Sequence, residues 1–201
     1  MNNDQTSRIE AFRQLAEEIS KCNRCILSKK RKNPVVGDGD INANIVLIGE
    51  APGYWEDVAG KPFVGSAGKL LNELLREANL PRESIYITNV IKCRPPGNRD
   101  PRPDEVDACR VYLDRQLDII RPRVIVTLGR HSTAYIFSKA GVPFKSISDV
   151  QGKVFTVEFW EAKTYIIPSY HPAAALYNAR LKDDIRSVIM LVGKIKADLQ
   201  L

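Results

Sequence analysis

Four short runs of aliphatic and β-branched residues constrain this chain more than any other feature. They are NIVLIG (44–49), SIYITNVIK (84–92), RVIVTLG (123–129) and KTYIIPSY (163–170), each bounded by turn residues or charges. Near-continuous apolar strands of this kind are buried on both faces, which requires a parallel sheet with helices on either side. The intervening segments supply those helices. SAGKLLNELLREANL opens at Ser66, a possible cap, and repeats apolar residues at Leu70, Leu71, Leu74 and Leu75. RPDEVDACRVYLDRQLDII places Pro103 in a first turn, followed by Asp104 and Glu105. HSTAYIFSKAG forms a shorter helix ending at Gly141, and LKDDIRSVIMLVGKIKADLQ carries Leu181, Ile185, Val188, Val192, Ile195 and Leu199 on one face.

The pattern predicts an α/β fold: a three-layer α/β/α arrangement around a central four-stranded, mainly parallel sheet. A hairpin at the sheet edge pairs SDVQGKVFTVEFW with TYIIPSY. No linker, repeat or low-complexity segment divides residues 1–201, so one domain is expected, and 201 residues suffice for a sizeable core. The formal charge of +6 suits an anionic partner such as nucleic acid without demanding one. No apolar run has the length to span a bilayer, and the amphipathic N-terminal segment does not read as a signal peptide. The expected location is cytoplasmic, with no membrane association.

In a reducing compartment four cysteines are better metal ligands than disulfides. Cys22 and Cys25 form a C-x2-C pair, and Cys93 and Cys109 bracket a proline-rich segment of residues 94–108. Four thiolates can hold either a tetrahedral zinc or an iron–sulfur cluster, and the spacing does not choose between them. The plain alternative is four small buried hydrophobes. A shared metal would tie the N-terminal segment to the region after the second strand.

In open α/β sheets ligands bind at the C-terminal ends of the strands. The segments leaving those ends are GEAPG, TNVIKCRPPGNR, GRH and PSYHPAAAL, which bring Glu50, Asn89, His131 and His171 to that edge. Asn89 falls inside a strand pattern that Val90 and Ile91 continue. His131 reads as a helix-start residue without a role.

The motifs GEAPG, GKPFVGSAG, TNVIKCRPPGNR and YHPAAAL, interleaved in order with the four cysteines, resemble the family 4 uracil-DNA glycosylases, the iron–sulfur uracil glycosylases of archaea and bacteria. The resemblance runs from Cys22 through the helix after His171. It implies a monofunctional glycosylase that flips uracil out of DNA and hydrolyses its N-glycosidic bond, initiating base excision repair. It also implies a [4Fe-4S] cluster on Cys22, Cys25, Cys93 and Cys109.

By the same resemblance Phe63 stacks on the uracil ring, Asn89 hydrogen-bonds its edge, and His171 faces O2. Where classical uracil glycosylases carry an aspartate base this chain has Ala51, leaving Glu50 as the nearest carboxylate for the attacking water or the sugar cation. Alternatively Glu50 only shapes the pocket, while backbone groups of Ala51 and Pro52 contact the base. Glu56 lies where it would exclude the thymine methyl; the plain reading of Glu56 and Asp57 is a solvated acidic loop. For DNA contact, Leu176 or Tyr177 could wedge into the duplex. Arg180 and Lys182, with Lys92, Arg94 and Arg99, could hold phosphates. A monomer acting on uracil-containing DNA, single- or double-stranded, is expected, and the residues specify no protein partner such as a sliding clamp. Competing readings are a glycosylase for hypoxanthine or xanthine, and a metal-stapled nucleic-acid-binding module without catalysis.

Overall fold

The computed structural model describes residues 3–201. Its helices are α1 (Asn3–Ser20), α2 (Tyr54–Ala59), α3 (Ser66–Glu77), α4 (Pro103–Ile120), α5 (Arg130–Ala140), α6 (Ile147–Val150), α7 (Pro172–Ala175) and α8 (Arg180–Asp198). Its strands are β1 (Asp38–Gly39), β2 (Ile45–Gly49), β3 (Tyr86–Asn89), β4 (Val124–Leu128), β5 (Phe155–Phe159) and β6 (Ala162–Ser169). They form one mixed sheet in the order β1-β3-β2-β4-β6-β5.

The four apolar runs are the four parallel strands at its centre. The expected hairpin is β5–β6, antiparallel at one edge. At the other edge the two-residue β1 pairs antiparallel with β3, the one strand not expected beside the four central strands and the hairpin. Asp38 and Gly39 carry no strand signature, and backbone pairing alone puts them in the sheet.

Alternating residues of the central strands enter different layers, which is why the runs are apolar throughout. Val46, Ile48, Tyr86, Ile125 and Ile166 pack with Leu15 and Ile19 of α1, Leu113 and Leu117 of α4, and Ile136 and Phe137 of α5. Ile45, Leu47, Ile87, Val126 and Ile167 pack on the other face against Leu71, Leu74 and Leu75 of α3 and Ile185, Val188, Ile189 and Val192 of α8. Each such side chain removed from water stabilises the fold by roughly 1.5–3 kcal/mol. Ser66 is not the cap of α3: Gly65 holds that position without a side-chain hydrogen bond. Among the described residues no helix is long and apolar enough to cross a membrane.

The sheet order places a topological switch at β2, flanked by β3 on one side and β4 on the other. Register then brings the strand ends together. Gly49 pairs with Asn89, Leu128 pairs with Ser169, and Gly129 N–H donates to the Ser169 carbonyl at 2.8 Å. β3 stops at Asn89, shorter than the run that predicted it. Val90 N–H and Ile91 N–H still reach the Gly49 and Glu50 carbonyls at 3.0 and 3.1 Å, so the chain hugs β2 while turning.

Candidate active site

The strand ends open into a cavity of about 480 Å³. Its lining includes Glu50, Ala51, Pro52, Glu56, Phe63, Asn89 and His171, all seven residues expected at the base and the sugar.

Asn89 is 1% exposed, and its Oδ1 is buried without a hydrogen-bond partner. An orphaned buried acceptor is costly unless something else satisfies it. The place is kept open by Gly49: a Cβ there would lie 2.3 Å from Asn89 Oδ1 and 2.7 Å from the Phe63 ring. Glycine at this strand end is a steric requirement of the pocket.

Phe63 is buried yet has the left-handed φ of 52°, a conformation that costs energy in a residue with a side chain. Two features hold it. Arg82 donates from Nη1 to the Phe63 carbonyl at 3.3 Å and from Nη2 to the Pro62 carbonyl at 2.5 Å, and a Cβ on Gly68 would sit 1.9 Å from the Phe63 oxygen. The ring stacks on His171, centroids 5.6 Å apart and planes 27° apart.

His171 precedes α7 and caps it, its Nδ1 accepting from Ala173 N–H at 3.1 Å. That bond leaves the ring proton on Nε2, so the neutral imidazole offers a donor. Burial pulls the His171 pKa down to about 4, with Glu56 opposing the shift, so the ring is neutral at physiological pH.

Glu56 is not in a solvated loop. It belongs to α2, and its Oε1 accepts from Val64 N–H at 2.9 Å and Gly65 N–H at 2.8 Å, which fixes the carboxylate in the cavity wall. Asp57 also departs from its solvated reading. It is 4% exposed and accepts from Lys32 N–H at 2.9 Å, while Asn33 Nδ2 donates to its carbonyl, pinning the 30s segment to α2.

Glu50 has the neighbours the sequence did not supply. His131 Nε2 lies 3.7 Å from Glu50 Oε2 and 3.7 Å from Asp100 Oδ2, and that nitrogen is buried without a hydrogen-bond partner. Arg130 pairs with Asp100. His131 therefore stands between two carboxylates at the β2/β4 switch, and is no mere helix-start residue. Burial raises the Glu50 pKa, His131 lowers it, Asp100 raises it and Arg130 lowers it. A helix-start histidine carries no sequence mark of this; only the strand order brings it to Glu50.

Of the DNA-contact candidates, Leu176 lines the cavity and is exposed, and Tyr177 beside it is almost fully exposed. Arg180 is exposed at the start of α8, while Lys182 pairs with Glu73 at 3.0 Å. Lys92 is not a phosphate ligand. It is wholly buried and donates to Thr88 Oγ1, the Asn89 carbonyl and Gln116 Oε1, each at 2.7 Å. Arg99 is committed to the fully buried Glu105 through bonds of 2.5 and 2.8 Å.

The four cysteines line a separate, enclosed cavity between α1, α4 and the segment after β3. Arg31 Nη1 donates to Cys93 Sγ at 3.1 Å and Lys92 N–H to Cys109 Sγ at 3.2 Å. Among the described residues no three of the sulfurs come within 4.8 Å of one another.

A mixed sheet with a parallel centre that switches at β2 brings an amide, an aromatic ring and a neutral imidazole around one cavity on an α/β/α scaffold. Residues 36–191 match the family model for the uracil DNA glycosylase superfamily. Over 175 residues, 87% of this chain and 80% of the relative, the chain is 52% identical to a type-4 uracil-DNA glycosylase of Sulfurisphaera tokodaii. Over 187 residues, 93% of this chain and 94% of the relative, it is 49% identical to that of Archaeoglobus fulgidus. A type-5 uracil-DNA glycosylase of Thermus thermophilus matches 54% of the chain at 35% identity. The chain belongs to the uracil-DNA glycosylase superfamily, in its type-4 branch.

Proposed function

We propose that the protein is a monofunctional DNA glycosylase that hydrolyses the N-glycosidic bond of deoxyuridine in DNA, releasing uracil and leaving an abasic site for repair. One observation carries the reading: the buried Asn89 amide, its Oδ1 unpartnered, shares a cavity with Phe63 and the neutral His171.

The target base is flipped out of the helix into the cavity. The Asn89 amide carries both an acceptor and donors, so Oδ1 takes uracil N3–H and Nδ2 gives to O4; cytosine presents the reverse pattern. Phe63 stacks on the ring. Glu56, held by two backbone amides, sets its carboxylate against C5 and turns away a thymine methyl. Ala51 and Pro52 add backbone and apolar contact at the base.

As the C1′–N bond breaks, its electron pair passes to the uracil and charge gathers on O2. His171 Nε2–H donates there, a bond stronger in the transition state than in the ground state. Water adds to C1′ and yields its proton to Glu50, whose carboxylate His131 faces at 3.7 Å. Among the described residues lining the cavity there is no lysine, which favours hydrolysis over a Schiff-base lyase. Leu176 and Tyr177 fill the space left by the flipped base, and Arg180 and Arg94 face phosphates; Lys182 reaches one by leaving Glu73.

Cys22, Cys25, Cys93 and Cys109 suit a [4Fe-4S] cluster: all four line one cavity, and four thiolates from two separated segments are a complete ligand set for such a cluster. When bound, the cluster supplies a structural staple between the end of α1 and the start of α4. Burial raises the thiols of Cys93 and Cys109, the latter to about 11, so metal binding must displace those protons. The protein works as a single-domain monomer in the cytoplasm.

The test is an oligonucleotide with one uracil, followed by alkali cleavage, beside matched strands carrying hypoxanthine or xanthine. Cleavage at uracil alone supports the reading. An intact uracil strand, with folded and metal-loaded protein, refutes it.

A further inference from the structure

α2 begins with two adjacent aromatic residues that the reaction leaves without a task. Tyr54 is 45% exposed and Trp55 61% exposed, and both line the mouth of the cavity that holds Phe63 and Asn89. Large aromatic side chains left open to water beside a binding site ordinarily have something to cover them.

Their arrangement is ordered. The two rings meet edge to face, centroids 5.1 Å apart and planes 83° apart. Arg94 and Lys32 stand over the Tyr54 ring at 5.1 and 5.5 Å, each a cation–π contact. The buried Asp57 brings Lys32 there by fixing the 30s segment to α2. Tyr54 thus anchors two cations and buttresses Trp55, whose indole remains open at the rim.

An exposed aromatic face with two cations beside it is what an unpaired nucleotide requires: a ring to stack on and charge for its phosphate. A base still paired in a duplex has no free face to offer. The surface also continues directly from the cavity into which the target base enters. We infer that Trp55 is a stacking platform for an unpaired base next to the excised one in the same strand, with Arg94 and Lys32 meeting the adjoining phosphates. The inference rests on the proposed glycosylase reading for its occupant, single-stranded DNA, and it makes single strands a preferred substrate.

The chain has two tryptophans. Trp160 donates its indole N–H to Asp118 at 2.9 Å, so Trp160→Phe leaves Trp55 as the reporter. In that full-length protein, uracil-free oligodeoxythymidine is expected to quench Trp55 emission. Trp55→Ala, checked for folding by its melting curve, should weaken binding by about 5- to 150-fold, the worth of one stacked base. Trp55→Phe should retain most of the affinity. Arg94→Ala should reduce the slope of log K against log salt by about 0.7. Emission that does not change while the oligomer binds, or Trp55→Ala binding as tightly as the parent, overturns the platform. A parent that binds oligodeoxythymidine through Trp55 but releases no uracil defeats the glycosylase reading and leaves the platform standing. Uracil release with binding indifferent to Trp55 does the reverse.

Discussion

His171 makes a prediction that separates hydrogen bonding from charge. Its Nδ1 accepts Ala173 N–H, and its pKa falls from an ordinary 6.5 to about 4, chiefly through burial. Between those values the unfolded chain binds a proton that the folded chain refuses. Stability from this residue is therefore complete above pH 6.5 and declines as pH drops toward 4. At about 1.4 kcal/mol per unit, the loss across the window is at most about 3 kcal/mol. The comparison is His171→Asn, since asparagine can also cap α7 by accepting a backbone N–H. Urea unfolding of both proteins from pH 4 to 8 gives the difference directly. The parent should lose stability relative to the variant as pH falls from 6.5 to 4. A difference that stays flat across that range would show that the ring accepts a proton freely in the folded protein, and the neutral-donor role would fall with it.

Because His171 stays neutral down to about pH 4, any acid limb in the rate above that value belongs to another group, and Glu50 is placed to supply it. Glu50→Gln should slow single-turnover release by about 10²- to 10⁴-fold and abolish the limb; unchanged rates would leave Glu50 as pocket wall. His131→Ala removes the neighbour that lowers the Glu50 pKa against burial, so the limb should move to higher pH while the plateau changes less; a limb that stays in place would exclude His131 as a positioning residue. Gly49→Ala puts a Cβ 2.3 Å from Asn89 Oδ1 and 2.7 Å from the Phe63 ring, and it should cripple uracil release in a protein that still melts cooperatively; near-parental rates would contradict the packing. Purified protein should be yellow-brown with broad absorbance near about 400 nm that Cys93→Ser removes, whereas a colourless protein with one zinc would overturn the cluster.

The layers of the fold were legible because the central strands are buried on both faces, and such strands leave uninterrupted apolar runs. β1 left no trace, since Asp38 and Gly39 join the sheet by backbone pairing alone. The pocket residues were legible through their motifs and their position at strand ends. What surrounds them was not. Arg82 holds the turn at Phe63 from 19 residues away, and His131 meets Glu50 only because β4 lies beside β2. Lys92 looked like a phosphate ligand because lysine is seldom buried, yet three acceptors take it into the interior. Contacts set by topology do not appear in local spacing.

If the Asn89 amide reads the uracil edge, exchanging that amide for a carboxylate should change which base is released. Asn89→Asp should be assayed on matched single strands carrying one uracil or one cytosine. The variant keeps an acceptor for N3–H or cytosine N4–H but loses the donor to uracil O4. Uracil release should fall sharply, and measurable cytosine release should appear above the parent's. An Asn89→Asp protein that excises uracil at the parental rate and still ignores cytosine would contradict that role for the amide.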